Sequence, residues 1–212
     1  MNASALNPDQ ICVALTGASG IPYGLRLIQQ LLENNQEILG LISPAGAETI
    51  RCEADADFPE TVSEQQASLC RLIDIENDNS RLKLYEQDDW QSPLASGSSA
   101  PRRMVICPCS MSTLSSVACG ASNNLIERAA DVVLKERGKL VIVPRETPLS
   151  TIHLQNMLTL SQAGAVILPP SPGFYQQPES VYDLIDFVVG RILDQLDIAH
   201  SIGPRWSDQP VI

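Results

Sequence analysis

Five short runs of this chain are apolar at nearly every position: Ile11 to Leu15, Ile38 to Ile42, Met104 to Pro108, Leu140 to Pro144 and Ala165 to Leu168. A strand with one face in water alternates polar and apolar residues, so runs apolar at both parities must be covered on both faces. Stretches of helical spacing lie between them. Leu25, Ile28, Leu31 and Leu32 mark one from Tyr23 to Glu33, and Val181, Leu184, Ile185, Val188, Val189, Ile192 and Leu193 mark another from Ser180 to about Leu196. Buried strands alternating with helices, with no internal repeat, predict an α/β fold. The expected architecture is a single-domain, doubly wound parallel sheet of Rossmann or flavodoxin-like type, with helices on both faces.

Residues 55 to 101 are the least regular, with a helix expected from Val62 to Ile73 and a short edge strand from Leu82 to Tyr85. The ASGSSAP segment at 95 to 101 fits either a ligand loop or a plain connector, which leaves Ser96 and Gly97 open. A chain of 212 residues with 44% hydrophobic content can bury one full core. We expect a disordered extension at 1 to 10, one domain over 11 to 200, and a tail at 201 to 212. Trp206 should pack the tail on its own or a neighbouring subunit.

No apolar run reaches membrane-span length, and residues 1 to 10 have neither the basic nor the apolar region of an export signal. The expectation is a soluble, cytoplasmic protein without a membrane span. Six scattered cysteines, among them Cys107 and Cys109 around Pro108, form neither a disulfide framework nor a zinc spacing, so reduced thiols are expected. The net charge of −11 argues against nucleic acid. However, seven of the fourteen basic residues lie between Arg102 and Arg145, against three acidic ones. Such an island suits a small phosphorylated ligand.

The first strand ends in Thr16-Gly17-Ala18-Ser19-Gly20, and Pro22 suits the first turn of a helix. Two readings fit: a tight β–α turn, or a phosphate site where backbone N–H groups and the helix dipole converge. The glycine spacing is neither G-x-G-x-x-G nor a nucleoside-triphosphate loop. The second strand ends at Ser43 where a dinucleotide site favours an acid, so FMN or another monophosphate fits better than NAD. Ser110, Met111, Ser112 and Thr113 open a helix at the end of another strand, which places two phosphate-friendly turns on one crevice.

Other candidates are weaker by residue type alone. Arg128 and Lys135 share a helix face with Asp131 between them, which is placed to pair with both. Arg145 and Glu146 sit at a strand end; Arg145 would reach a flavin or its phosphate, and Glu146 would serve as acid or base if burial raises its pKa. Glu53 reads as a solvated helix residue and His153 as a structural hydrogen-bonder. The proline-rich 169 to 178 loop stiffens a wall around Phe174 and Tyr175, and Arg191 lies on the last helix.

Taken together, TGASG with PYG, LIS, ASGSSAP, VICPCS with TLS, NNLIERAADVVLKER, VPRETPLS, HLQNML, GAVILPPSPGFY and PRW resemble the flavin prenyltransferase family. Its members carry the older name of aromatic-acid or 3-octaprenyl-4-hydroxybenzoate carboxy-lyase flavoproteins. The likeness spans residues 11 to 206 in order. It implies an enzyme that joins a dimethylallyl group from dimethylallyl monophosphate to N5 and C6 of reduced FMN and releases phosphate. The product, prenylated FMN, would serve a separate decarboxylase, as in ubiquinone biosynthesis. The resemblance also implies a homo-oligomer, often a dodecamer, with sites between subunits.

On matching positions, the resemblance assigns flavin binding to Gly17, Ala18, Ser19, Ser43, Ser110, Met111, Ser112, Thr113 and Arg145. It assigns the allylic phosphate to Arg128, Lys135, Tyr175 and Arg191, and acid–base work to Glu53 and Glu146. Ser19 is placed close to the flavin and Trp206 near the allyl group. Breaking the allylic C–O bond builds negative charge on phosphate and positive charge on carbon. Arg128, Lys135, Arg191 and the Tyr175 hydroxyl suit the first without a metal, and π faces suit the second. Two rivals remain. A flavin-dependent decarboxylase of the cysteinyl-peptide type would need an early catalytic histidine, and only His153 and His200 exist. A non-catalytic flavin-binding subunit would not need the phosphate set.

Overall fold

The computed structural model describes residues 10–54, 57–75 and 80–203. In chain order the elements are β1 (Gln10–Leu15), α1 (Ile21–Glu33), β2 (Glu37–Ile42), α2 (Pro44–Glu53), α3 (Val62–Leu72), β3 (Leu82–Tyr85), β4 (Arg103–Cys109), α4 (Met111–Ala118), α5 (Leu125–Lys135), β5 (Lys139–Pro144), α6 (Thr151–Gln162), β6 (Val166–Ile167) and α7 (Val181–Gln195). Every apolar run became a strand, and β3 is the sheet edge that the sequence suggested. The Trp206 tail and nearly all of the 1 to 10 extension lie outside the described residues.

The six strands are all parallel in the order β3-β2-β1-β4-β5-β6. Strand order therefore reverses between β1 and β4, and the carboxyl ends of those two strands flank a crevice. Alternate residues of each strand feed two cores. Ile11, Val13, Leu15, Val105 and Val143 pack with α1, α2, α3 and α7 on one face. Cys12, Ala14, Met104, Ile106 and Ile142 pack with α4, α5 and α6 on the other. Each of the Val, Leu, Ile and Met side chains among them, taken wholly out of water, contributes about 1.5–3 kcal/mol, which outweighs any single surface contact.

Helix starts follow from local chemistry. The hydroxyls of Ser43, Ser110, Ser150 and Ser180, and the Asn124 side chain, accept first-turn N–H groups of α2, α4, α6, α7 and α5. His153 completes a capping box with Ser150, its Nδ1 accepting the Ser150 N–H at 3.3 Å, which is the structural role expected of it. Glycines in the β–α turns admit close packing. A Cβ on Gly24 would sit 2.5 Å from the Cys107 carbonyl, and one on Gly17 2.4 Å from the Ala45 Cβ. All six cysteines are free: Cys12, Cys70, Cys107 and Cys109 are buried, and Cys52 and Cys119 exposed. Among the described residues, no helix is long and apolar enough to cross a membrane.

Candidate active site

The β1–α1 turn (16–20), the β4–α4 turn (109–113) and the β5 end with Arg145 meet where strand order reverses. Arg145 is half-buried, and its Nε donates to the Ser19 carbonyl at 3.1 Å, which ties the third element to the first. Ser110 holds the start of α4, its Oγ accepting the Thr113 N–H at 3.2 Å and lying 3.0 Å from Thr113 Oγ1. The remaining first-turn N–H groups of α4, at Met111 and Ser112, have no intrahelical acceptor and lie at the positive end of the helix dipole. Ser43 does the same for α2, accepting the Gly46 N–H at 2.9 Å. The turns expected at one crevice are therefore brought together.

The start of α1 departs from the sequence reading. The anion there is the chain's own: Glu53, at the end of α2, accepts N–H bonds from Gly20 and Ile21, each at 2.9 Å to Oε2. Glu53 is therefore a tertiary helix cap, not a solvated helix residue. Partial burial works against its charge, but bonds from Ser19, Gly20 and Ile21, with Arg145 nearby, prevail and hold its pKa below the usual carboxylate value. Gly17 answers to packing on Ala45, and Gly20 to a positive φ of 115°. Ala18 is buried and Ser19 exposed to the crevice.

Glu146 is exposed, with the Thr147 N–H donating to its carboxylate at 3.0 Å. The burial on which its acid–base reading depended is not supplied within one chain. Arg128 donates to the Ala95 carbonyl at 3.0 Å and pairs with Asp131 at 2.9 Å. Lys135 does not share Asp131. It pairs with Glu136 at 2.6 Å, where Arg102 joins at 2.8 Å, and these two cations hold the Glu136 pKa low. Gly97 lies against the pair, since a Cβ there would fall 2.7 Å from Lys135 Nζ. The 95 to 101 loop thus backs α5, and Ser96 bonds within the loop to Ser98.

Arg191 pairs with Asp194 on α7, at the mouth of a groove of about 370 Å³ walled by Val166, Leu168, Pro169 and Phe187. Tyr175 packs edge-on against Phe187, centroids 5.9 Å apart. Arg128 and Lys135 sit on α5, which covers one face of the sheet, and Arg191 on α7, which covers the other. Trp206 lies outside the described residues. A cavity of about 560 Å³ beside Ser43, lined also by Arg51, Tyr85, Gln87, Asn123 and Asn124, was not anticipated. The Asn123-Asn124 pair after a glycine was its one visible signal.

With this geometry in place, comparison with known proteins is direct. The Flavoprotein family model matches residues 2–193, which fixes the class. Flavin prenyltransferase UbiX of Pseudomonas aeruginosa is 53% identical over 205 residues, covering 97% of both chains. The crystal structure of AnUbiX (PadA1) with FMN and dimethylallyl pyrophosphate superposes with a TM-score of 0.82 at 40% identity, covering 93% of this chain and 96% of that one. A dodecameric FMN-dependent UbiX-like decarboxylase from Escherichia coli O157:H7 gives 0.79 at 40% identity, covering 93% and 98%. This chain belongs to the flavin prenyltransferase family.

Proposed function

We propose that the chain transfers a dimethylallyl group from its phosphate ester to N5 and C6 of reduced FMN, releasing phosphate and making prenylated FMN. The observation that carries this reading is the meeting of two helix-opening turns and Arg145 at the β1/β4 crevice. It occurs in a chain 53% identical to a flavin prenyltransferase. FMN is a substrate here, and supplies the electron-rich ring that the allyl carbon joins. The Gly17 to Ser19 turn, Ser43, the Ser110 to Thr113 turn and Arg145 would hold it. Hydroxyls and unpaired N–H groups at helix starts suit a phosphate and a polar ring edge.

Arg128, Lys135, Arg191 and the Tyr175 hydroxyl would take the leaving phosphate and stabilise its growing charge. Their division between two faces of the sheet supports a site completed by a second copy, in line with the dodecameric relative. Glu53, kept ionised, and Glu146 would move the protons at N5 and C6, and Trp206 would face the allyl group. The product would pass to a separate decarboxylase. Six free thiols support a reducing, cytoplasmic setting.

The test is to incubate the purified protein anaerobically with reduced FMN and either dimethylallyl monophosphate or diphosphate, then weigh the flavin. A gain of one C5H8 unit is expected with the monophosphate. Unmodified FMN with both donors overturns the proposal.

A further inference from the structure

We propose that Thr16 is a positioning residue for the flavin reaction: its buried side chain clamps the β1 and β4 turns into the geometry that receives FMN. The inference rests on the FMN site proposed above, in which no role was given to the threonine of the TGASG motif.

The regular pairing of β1 with β4 runs through Cys12, Val13 and Ala14 opposite Met104, Val105 and Ile106, and then stops. Register between β4 and β5 also breaks between Ile106 and Cys109. Pro108 has no N–H to give, so backbone pairing cannot continue as before. The β1–β4 ladder thus ends short of the ligand turns, and the β4–β5 ladder resumes only at Cys109 opposite Pro144. Strand ends left without cross-bonds would have freedom to splay, and a crevice built between them would lose its width.

Thr16 takes over. It is fully buried, and its Oγ1 donates to the Pro108 carbonyl at 2.9 Å while its N–H reaches the same oxygen at 3.2 Å. The same Oγ1 accepts the Ser110 N–H at 2.8 Å. A hydroxyl is the smallest side-chain group that can both donate and accept, and here both capacities are used across the crevice floor. The peptide between Cys109 and Ser110 is held from its other side as well, because its carbonyl accepts the Arg145 N–H at 3.3 Å. Arg145 Nε then returns to the Ser19 carbonyl, three residues from Thr16.

Three hydrogen bonds, Thr16 to Ser110, Cys109 to Arg145 and Arg145 to Ser19, close a ring with the chain from Ser19 back to Thr16. Ser19, Ser110 and Arg145 are assigned to the flavin in the proposed site, and Thr16 is the buried side chain that ties them together. Thr16→Val keeps the shape, removes both side-chain bonds and leaves the half-buried Ser110 N–H without its acceptor. Because Ser110 caps α4, the disturbance passes directly to the Met111 and Ser112 N–H groups.

The experiment compares Thr16→Val, Thr16→Ser and Thr16→Cys with the wild type, measuring FMN affinity by fluorescence quenching, the bound-flavin absorption spectrum and Tm. Arg103→Ala is the control, since it removes bonds to Gln36 and the Leu196 carbonyl at the opposite edge of the sheet. For Thr16→Val the FMN Kd is expected to rise about tenfold and the spectrum to shift toward free flavin. Thr16→Ser should stay within about twofold of wild type, and Arg103→Ala should lower Tm with Kd unmoved. Thr16→Val with lowered Tm but wild-type Kd and spectrum overturns the inference and leaves a purely structural residue. If the valine chain does not fold, Thr16→Cys decides, since its S–H bonds weakly: a wild-type Kd there overturns the inference equally. Failure of the wild type itself to bind FMN would instead strike the site reading beneath it.

Discussion

The crevice floor and the proposed phosphate clasp are built on opposite plans. At the floor, three strand ends are joined by bonds that close within one chain, from Thr16 through Ser110 and Cys109 to Arg145 and Ser19. In the clasp, each cation is occupied by a carboxylate on its own helix or next to it: Arg128 with Asp131, Lys135 with Glu136, Arg191 with Asp194. The sheet stands between the α5 pair and Arg191. The difference teaches that a receptor for a planar ring can be cross-bonded within one chain before its ligand arrives. The groups proposed to meet the departing anion instead stand apart in one chain, each with its charge balanced by a carboxylate.

Four measurements sharpen or break this contrast. The largest effect is expected at Glu146, where Glu146→Gln should leave FMN affinity intact and slow product formation by about 10²–10⁴-fold, the usual range for a proton-transfer group. Unchanged turnover would remove Glu146 from the chemistry. Next, Lys135→Ala and Arg191→Ala should each raise the KM for dimethylallyl monophosphate by about 10- to 100-fold with FMN affinity unmoved. Co-expressed as mixed oligomers, the two variants should regain about one quarter of wild-type activity, because random assembly leaves that share of composite sites intact. No recovery would refute a clasp shared between copies.

Smaller effects concern the floor. Ser110→Ala removes the α4 cap and should lower stability by about 1 kcal/mol, with a matching loss of FMN affinity; a stability change without one would separate the cap from the site. The smallest is at Glu53, whose folded pKa lies below its ordinary 4.5. Such a group contributes stability above pH 4.5 that is lost as pH falls through the lower, folded value. The Tm gap between wild type and Glu53→Gln should thus be present above pH 4.5 and close as pH falls through the lower, folded value. A gap independent of pH would mean that the carboxylate's charge does not hold the α1 start.

The contrast also explains what the sequence revealed. Strand positions and the reversal point were legible because each strand is apolar at both parities and ends in a small or hydroxyl-bearing turn. Such signals are local. The Glu53 cap was not legible, since it joins residues 33 apart through the packing of α2 beside α1. Lys135 was paired with Asp131 on helix geometry alone; Arg102, from before β4, instead gathers Glu136 and Lys135 into one cluster. Thr16 resembled any residue of a tight turn until the Pro108 carbonyl, 92 positions away, came within reach. The split of the phosphate clasp depends on which face each helix covers, and composition and spacing do not encode that.

The distribution of thiols has a practical consequence. Burial raises the pKa of Cys12, Cys107 and Cys109 far above the ordinary thiol range, so they stay protonated and inert to alkylation. Cys52 and Cys119 are open, one next to Glu53 and the other at the end of α4. A maleimide dye would therefore mark the chain at two addresses, one beside the Glu53 cap and one at the end of α4. Without a single substitution, the chain thus carries its own pair of labelling points for following ligand entry.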